Sequence, residues 1–138
     1  MSEIDTLISD LETATEPNRK IGAVIYELIY DENVKWGECG PLVIKGGDIF
    51  AVPQYTSSYD AIRNLTHSVL LTNCISVGEE LDMISNAQIN YWPLGLGFQE
   101  KEGGSEIIGK GIHHEPAMAL CIAFLKVLKA KQELVNHD

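Results

Sequence analysis

The chain has 138 residues, of which 45% are hydrophobic and 22% are charged, and this composition is typical of one globular domain with its own core. Twenty acidic residues against ten basic ones give a formal charge of -10, which repels phosphate backbones and argues against direct binding of nucleic acid. We therefore predict a single domain over residues 1–138 whose partners are basic or neutral, although an acidic surface can also imitate a nucleic acid and occupy a basic groove.

The cysteines and the apolar runs indicate the cellular compartment in which the protein is found. Cys39, Cys74 and Cys121 are odd in number, far apart and in no C-x-x-C pair, which favours a reducing environment over a disulfide framework. The N-terminus lacks the basic start and the apolar run of a signal peptide, and no stretch reaches the roughly 18 apolar residues of a membrane span. These features predict a cytoplasmic protein that does not enter a membrane.

Two amphipathic helices are predicted at the start of the chain. The first is indicated by a stripe of apolar residues at helical spacing, which are Ile4, Leu7, Ile8 and Leu11. The second is indicated by TEPNRKIGAVIYELIY, in which Thr15 or Glu16 would cap the helix and Pro17 would lie in its first turn. We expect the two helices to pack as a hairpin.

The next segment predicts a small hairpin and then a short helix. The apolar runs PLVI and DIFAV are separated by KGGD, a sequence that favours a tight turn. The stretch VPQYTSSYDAIRNL follows, with Ile62, Leu65 and Val69 at helical spacing. Ser57 with Asp60 three residues later resembles a capping box, so hydroxyl groups are expected to satisfy the free amides at this helix start.

Three further strands and a long helix complete the predicted pattern. ISVGEELDMIS, AQINYWPLGLGFQE and SEIIGKGIHH are typical of successive strands, with turns near Asn86 and at EKEGGS. Pro116 and a broad apolar face predict a long closing helix. The predicted fold class is α+β, in the order α-α-β-β-α-β-β-β-α. An antiparallel sheet of about three to five strands would be packed by the N-terminal helices, a central short helix and the long C-terminal helix.

Two motifs in the chain resemble a known family. The first is Pro-x-Tyr-Thr-x-Ser followed by Asp-Ala, formed by Pro53, Tyr55, Thr56, Ser58, Asp60 and Ala61. The second opens the closing helix with Pro-Ala and continues Ala-Leu-Cys-Ile-Ala, from Pro116 to Ala123. With these motifs the chain resembles, from about residue 4 to 130, the phage α-β-α sandwich domain, a family of uncharacterised small bacteriophage and prophage proteins. The resemblance implies a phage or prophage origin and an α+β sandwich, and it implies no chemistry.

The sequence offers few groups for catalysis or metal binding. No G-x-S-x-G elbow is present. His113 and His114 are adjacent at a strand end, where side chains diverge, unlike the i and i+4 histidines that face one zinc ion. We therefore expect no enzyme activity, no cofactor and no metal site. We expect His114 or Glu115 to cap the last helix, and a metal-assisted hydrolase built on the two histidines and a carboxylate is the enzymatic alternative.

Aromatic residues near irregular backbone predict a binding surface. The candidate ligand- or partner-binding residues are Tyr55, Thr56, Ser57, Tyr59, Arg63, Tyr91 and Trp92. Aromatics beside glycine and proline are favoured in concave sites and interfaces. The helix start near Ser57 also offers free amides suited to an anion, with Arg63 as a nearby charge. The alternative interpretation is that Tyr55 and Trp92 complete the core.

Two hypotheses of function follow from these features. The first is a non-catalytic phage- or prophage-encoded accessory protein that counters a host defence system by binding a host protein in the bacterial cytoplasm. The alternative is a sponge that sequesters a small anionic ligand such as a signalling nucleotide. Its cations would be Arg19, Lys20 and Arg63, and a homo-oligomer would be needed to enclose the ligand. Exposed strand edges and the apolar face of the closing helix are the candidate surfaces for self-association.

Overall fold

The computed structural model describes residues 3–38, 40–70, 73–80, 84–91 and 107–135. Within these residues the chain forms helices and two antiparallel three-stranded sheets, which confirms the predicted α+β class. The elements in order are α1 (Glu3–Thr13), α2 (Arg19–Tyr30), β1 (Lys35–Gly37), β2 (Gly40–Lys45), β3 (Asp48–Ala51), α3 (Tyr59–Val69), β4 (Asn73–Glu80), β5 (Ile84–Tyr91), β6 (Ile107–His113) and α4 (Pro116–Val135).

The strands differ from the prediction in two places. Strand β1 precedes the predicted hairpin, so the small sheet has the order β1-β2-β3. Asn86, predicted in a turn, lies inside β5 and pairs with Gly78 and Ile112. Alternate residues of β5 are buried, and Asn86 belongs to the outer set, where an amide side chain is compatible with a strand. The predicted turn at EKEGGS lies outside the described residues.

Helix α4 forms the centre of the core. It contacts β5 and β6 of the second sheet, whose order is β4-β5-β6, and it also contacts α1 and α3. Residues 117–125 are all buried. A helix that is surrounded by protein must be apolar on all sides, which explains why its sequence is apolar beyond a single stripe. None of the helices in the described parts of the chain has the length and apolar character that a membrane span requires.

Two glycines of β6 allow α4 to lie directly on the second sheet. A Cβ atom added at Gly109 would collide with the carbonyl oxygen of Ala123, and one added at Gly111 would collide with that of Ala119. Small residues on both surfaces therefore bring the backbone of the helix against the backbone of the strand. The sheet thus provides a fixed platform for α4.

The small sheet lies apart from this core and is attached through β2. Pro41 and Val43 are the buried residues of β2, and this strand contacts α2. Strands β1 and β3 are exposed along their whole lengths. The predicted tight turn between β2 and β3 is confirmed, since Gly46 and Gly47 adopt positive φ angles of 55° and 88°.

Helix α2 begins at Arg19, three or four residues beyond the predicted cap at Glu16 or Thr15. Asn18 is the N-cap, and its side-chain oxygen accepts hydrogen bonds from the N–H groups of Lys20 and Ile21 at 2.8 and 3.2 Å. The predicted cap at Thr15 or Glu16 is therefore wrong, and Pro17 lies before the helix. At the other end of the chain, α4 begins at Pro116 as predicted.

Candidate functional site

The segment from residue 52 to 58 connects β3 to α3 and is held at two points. Tyr55 is 3% exposed, and its carbonyl oxygen accepts a hydrogen bond from Cys121 Sγ at 3.4 Å. The hydroxyl of buried Thr56 accepts from the N–H of Asn18 at 2.9 Å and donates to the carbonyl oxygen of Asn18 at 3.0 Å. Thr56 therefore joins this segment to the start of α2.

The N-cap of helix α3 lies one residue later than predicted. Ser58 is the N-cap and accepts a hydrogen bond from the N–H of Ala61 at 3.2 Å. Ser57 is exposed, and its hydroxyl donates to Gln54 Oε1 at 3.1 Å. The N–H groups of Ser57 and Ser58 both bond the Gln54 carbonyl oxygen, so a turn occupies residues 54–58 and delays the helix.

A cleft of about 350 Å³ lies beside this segment, between the end of α2 and one face of α3. We call it the tyrosine cleft, and it is lined by Tyr30, Pro53, Tyr55, Ala61, Asn64, Leu65 and Ser68. The four lining residues of α3 are spaced i, i+3, i+4 and i+7, so they share one helix face. The volume is within the range of pockets that hold small ligands or anchoring side chains.

Sequence reasoning missed two aromatic residues at this site. Tyr26 and Tyr30 stack on α2 with ring centroids 4.6 Å apart and an interplanar angle of 38°. Their i, i+4 spacing is the signal that would have found them. Burial raises the pKa of the Tyr55 hydroxyl, and the adjoining Tyr30 and Tyr26 raise it further. Tyr55 is therefore a neutral hydrogen-bond donor throughout the physiological pH range.

A chain of polar contacts joins the aromatic pair to the small sheet. The Tyr26 hydroxyl donates to Glu32 Oε1 at 2.9 Å, and Glu32 Oε2 lies 3.0 Å from Lys45 Nζ on β2. The hydrogen bond from Lys45, followed by that from Tyr26, lowers the pKa of Glu32. Burial and the bond to Glu32 raise the pKa of Tyr26. These contacts connect the tyrosine cleft to β2.

The other predicted site residues that the structure describes are not among those that line the cleft. Arg63 is exposed. At 100° per residue, its position on α3 is about 150° around the helix axis from the middle of the face that lines the cleft, so it lies on nearly the opposite side of the helix. Tyr59 is partly buried against the core. Tyr91 is buried at the end of β5, with Lys131 Nζ 5.8 Å from the centre of its ring. Trp92 lies outside the described residues.

His113 and His114 have different environments. Buried His113 accepts the N–H of Glu115 at Nδ1, at 3.0 Å, so its Nε2 carries the hydrogen and donates to the Ala14 carbonyl oxygen at 2.7 Å. Both ring nitrogens are thus engaged in holding the fold. His114 is exposed, and its ring is at 81° to that of His113. Across the described ranges, no group of three histidine, cysteine or acidic side chains is placed to hold a metal ion.

Comparisons with protein-family models, with curated proteins and with solved structures each return no match to this chain. The resemblance to the phage α-β-α sandwich domain therefore remains a proposal that rests on the two sequence motifs. In the fold these motifs meet, because the Tyr55 carbonyl oxygen accepts its bond from Cys121 of α4.

Proposed function

We propose that this chain is a non-catalytic accessory protein that binds a segment of a host protein in the tyrosine cleft. The observation that supports this is the chemistry of the seven described residues that line it, which include two tyrosines, an amide and a hydroxyl and among which no side chain is charged. Tyr30 is 43% exposed and lies beside buried Tyr55. Tyrosine supplies rigid contact area at low entropic cost, and amides bond to peptide groups. This combination suits a neutral polypeptide segment.

The biological setting is part of the same proposal. The two motifs that resemble the phage α-β-α sandwich domain support a phage or prophage origin. The formal charge of -10 supports a basic or neutral partner, because an acidic protein attracts basic surfaces and repels only acidic ones. A protein of this origin that captures a host component in the bacterial cytoplasm would act against a host process, such as a defence system.

The alternative, a sponge for a small anionic ligand, has less support from the arrangement of the cations. Arg63 points away from the tyrosine cleft, and the Arg19 guanidinium group lies against Gly40 of β2. Lys20 lines a separate cavity of about 340 Å³ between α1 and α2, and the carboxylate-bearing Asp10 lines the same cavity. An anion bound there would meet a like charge, which is unfavourable.

Two neighbouring exposed positions of α3 give a matched experiment. Asn64→Asp places a charge in the tyrosine cleft, and Arg63→Ala removes one on the far side of the helix. Native mass spectrometry of the protein purified from host cells identifies the partner, and calorimetry then measures the affinity of the purified pair. We expect Asn64→Asp to weaken the complex by about tenfold or more, since a carboxylate would be desolvated, and Arg63→Ala to change it by less than about twofold.

The same experiment separates the two hypotheses. A bound mass of a few hundred daltons per subunit that is lost in Arg63→Ala and retained in Asn64→Asp would favour the sponge. A protein partner whose affinity is unchanged by Asn64→Asp would contradict binding at the cleft. Thermal unfolding of both variants checks that each retains the native fold.

A further inference from the structure

Among the residues that the structure describes, strand β3 is an edge of the small sheet with no further strand beside it. All of its residues, Asp48–Ala51, are exposed, with Ile49 at 67% and Phe50 at 50%. Natural edge strands are blunted by lysine, proline, a bulge or great shortness. Strand β3 has no lysine, proline or bulge, and its only charged residue, Asp48, lies beside the turn. The opposite edge, β1, is a three-residue strand that begins with Lys35. An apolar edge of this kind is a template for another strand.

The pairing with β2 determines which backbone groups of β3 point outward. Residue pairs in antiparallel strands alternate between those that exchange hydrogen bonds and those that do not. Val52 donates its N–H to the carbonyl oxygen of Pro41 at 3.1 Å, and Phe50, two residues earlier, therefore also directs its backbone groups toward β2. The N–H and C=O groups of Ile49 and Ala51 consequently point away from the sheet.

We propose that β3 pairs antiparallel with β3 of a second copy of this chain, about a two-fold axis at Phe50. In this register Ile49 lies opposite Ala51 of the partner subunit, and Ala51 lies opposite the partner's Ile49. Both pairs then exchange hydrogen bonds, so that every outward N–H and C=O group of the two residues finds a partner. A two-fold interface requires one self-complementary patch, and two outward residues placed symmetrically about Phe50 meet that requirement.

The side chains fit the same register. Phe50 would face the partner subunit's Phe50 in a pair without hydrogen bonds, which is the closer kind, with Cβ atoms about 4.5–5.5 Å apart. Val43 is the cross-strand neighbour of Phe50 on β2, so the aromatic pair would be flanked by an apolar residue on each side. Aromatic cross-strand pairs are among the more stabilising contacts of a sheet. This pairing would cover part of the Phe50 side chain that is half exposed in the isolated subunit.

Charge limits which surface a second copy can use. Two chains with a formal charge of -10 repel each other, and this repulsion is weakest where they meet at a surface with few acidic groups. In the proposed register Asp48 lies opposite Val52 of the partner subunit, so the two Asp48 carboxylates are at opposite ends of the new ladder. Lys45 is the cross-strand neighbour of Asp48, although its ammonium group pairs with Glu32. The acidic remainder of each chain therefore does not have to enter the interface.

The size of the contact sets the expected affinity. Pairing of two four-residue strands with their exposed side chains buries less than the roughly 1,200 Å² of the smaller stable interfaces. We therefore expect a dimer with a dissociation constant in the micromolar range, roughly 1–100 µM. Dimerisation needs only this chain, so it can be tested without knowledge of the host partner and is independent of the proposed binding at the tyrosine cleft.

Sedimentation equilibrium between about 1 and 200 µM, with two substitutions of one residue, tests the proposal. Ala51→Pro removes an outward N–H and leaves the hydrogen bonds to β2 in place, whereas Ala51→Ser keeps that N–H. We expect wild type and Ala51→Ser to dimerise alike and Ala51→Pro to dissociate at least about tenfold more readily. Ile49→Lys, which places a charge on the edge, is the second variant if Ala51→Pro fails to fold.

Disulfide trapping tests the register. In a chain with Cys39→Ser and Cys74→Ser, Phe50→Cys should give a covalent dimer on mild oxidation, because position 50 faces itself across the axis. Ile49→Cys should not, because it faces Ala51 of the partner subunit. A wild-type protein that is monomeric at about 200 µM, a dimer that Ala51→Pro leaves intact, or trapping through Ile49→Cys alone would each overturn the proposal.

Discussion

The contact between α4 and β6 makes Gly111→Ala the most informative single substitution for the fold. A Cβ atom at position 111 would collide with the carbonyl oxygen of Ala119 and lie 2.9 Å from both Ala123 N and Ile122 Cβ. The carbonyl oxygen and the amide nitrogen belong to the backbone of a buried helix, so neither can rotate aside as the end of a long side chain can. Either the helix or the strand must move to admit one methyl group.

The expected loss is about 2–2.5 kcal/mol in the free energy of unfolding. Overpacking of a core costs roughly 1–3 kcal/mol, and a collision with backbone belongs at the upper end of that range. The smaller entropy of alanine in the unfolded chain offsets about 0.4–1 kcal/mol. A net loss of this size is a large fraction of the roughly 5–15 kcal/mol that stabilises a domain, and it lowers Tm by roughly 5–10 °C.

Urea unfolding followed by circular dichroism measures this change against a matched control. Gly78 also lies in a strand, but a Cβ added there meets no atom within 4 Å. Gly78→Ala should therefore leave the unfolding midpoint unchanged or raise stability by about 0.5 kcal/mol, because glycine is unfavourable inside a strand. Equal shifts in the two variants, or a loss below about 0.5 kcal/mol for Gly111→Ala, would refute the argument from close packing.

Two further predictions concern the contacts around the candidate site. Thr56→Val removes both hydrogen bonds to Asn18 and should reduce the free energy of unfolding by about 1–2 kcal/mol in urea titrations. The control Ser57→Ala changes an exposed residue and should alter this free energy by no more than about 0.5 kcal/mol. Equal losses in the two variants would contradict the role of Thr56 in joining this segment to α2. The lowered pKa of Glu32 stabilises the folded state above the ordinary value of 4.5, and this contribution is lost as the pH falls through the lower pKa of the folded protein. The difference in unfolding free energy between wild type and Glu32→Gln should therefore shrink over that acid range, and parallel pH profiles would show that Lys45 does not hold the carboxylate.

The periodic elements of this fold could be predicted because burial imposes their pattern. The apolar stripe of α1 is buried, and the length of α4 follows from its apolar residues and Pro116. The cap of α3 could not be ranked, because Ser57 and Ser58 are adjacent and equally able to accept an amide, whereas at α2 asparagine is the more favoured cap and the prediction passed over Asn18. The choice of Asn18 depends on Thr56, a residue 38 positions away that holds both backbone groups of Asn18. The bonds to Thr56 could not be read from the local sequence, whereas the capping side chain of Asn18 could.

Strand β1 and the tyrosine cleft were harder to predict for related reasons. A strand of three residues is too short for an alternation of apolar and polar residues to be recognised, and Gly37 at its end is typical of a turn. The cleft arises where α2 meets the segment before α3, so it joins residues that no local pattern connects. Tyr55 was predicted both as a site residue and, alternatively, as a core residue. It is buried and also lines the cleft, so the two interpretations are compatible.

The structural roles of the motif residues indicate where function should be sought. Thr56 holds the start of α2, Ser58 caps α3, and the backbone of Tyr55 contacts Cys121 of the second motif. Each of these contacts positions the segment from residue 52 to 58. The fold needs them whether or not the protein binds a ligand, so they do not indicate which ligand it binds. Tyr30 and Asn64 lie outside both motifs and make the surface of the cleft that a partner would touch. Substitutions at these two positions should therefore change binding with little loss of stability, whereas substitutions in the motifs should act first on the fold.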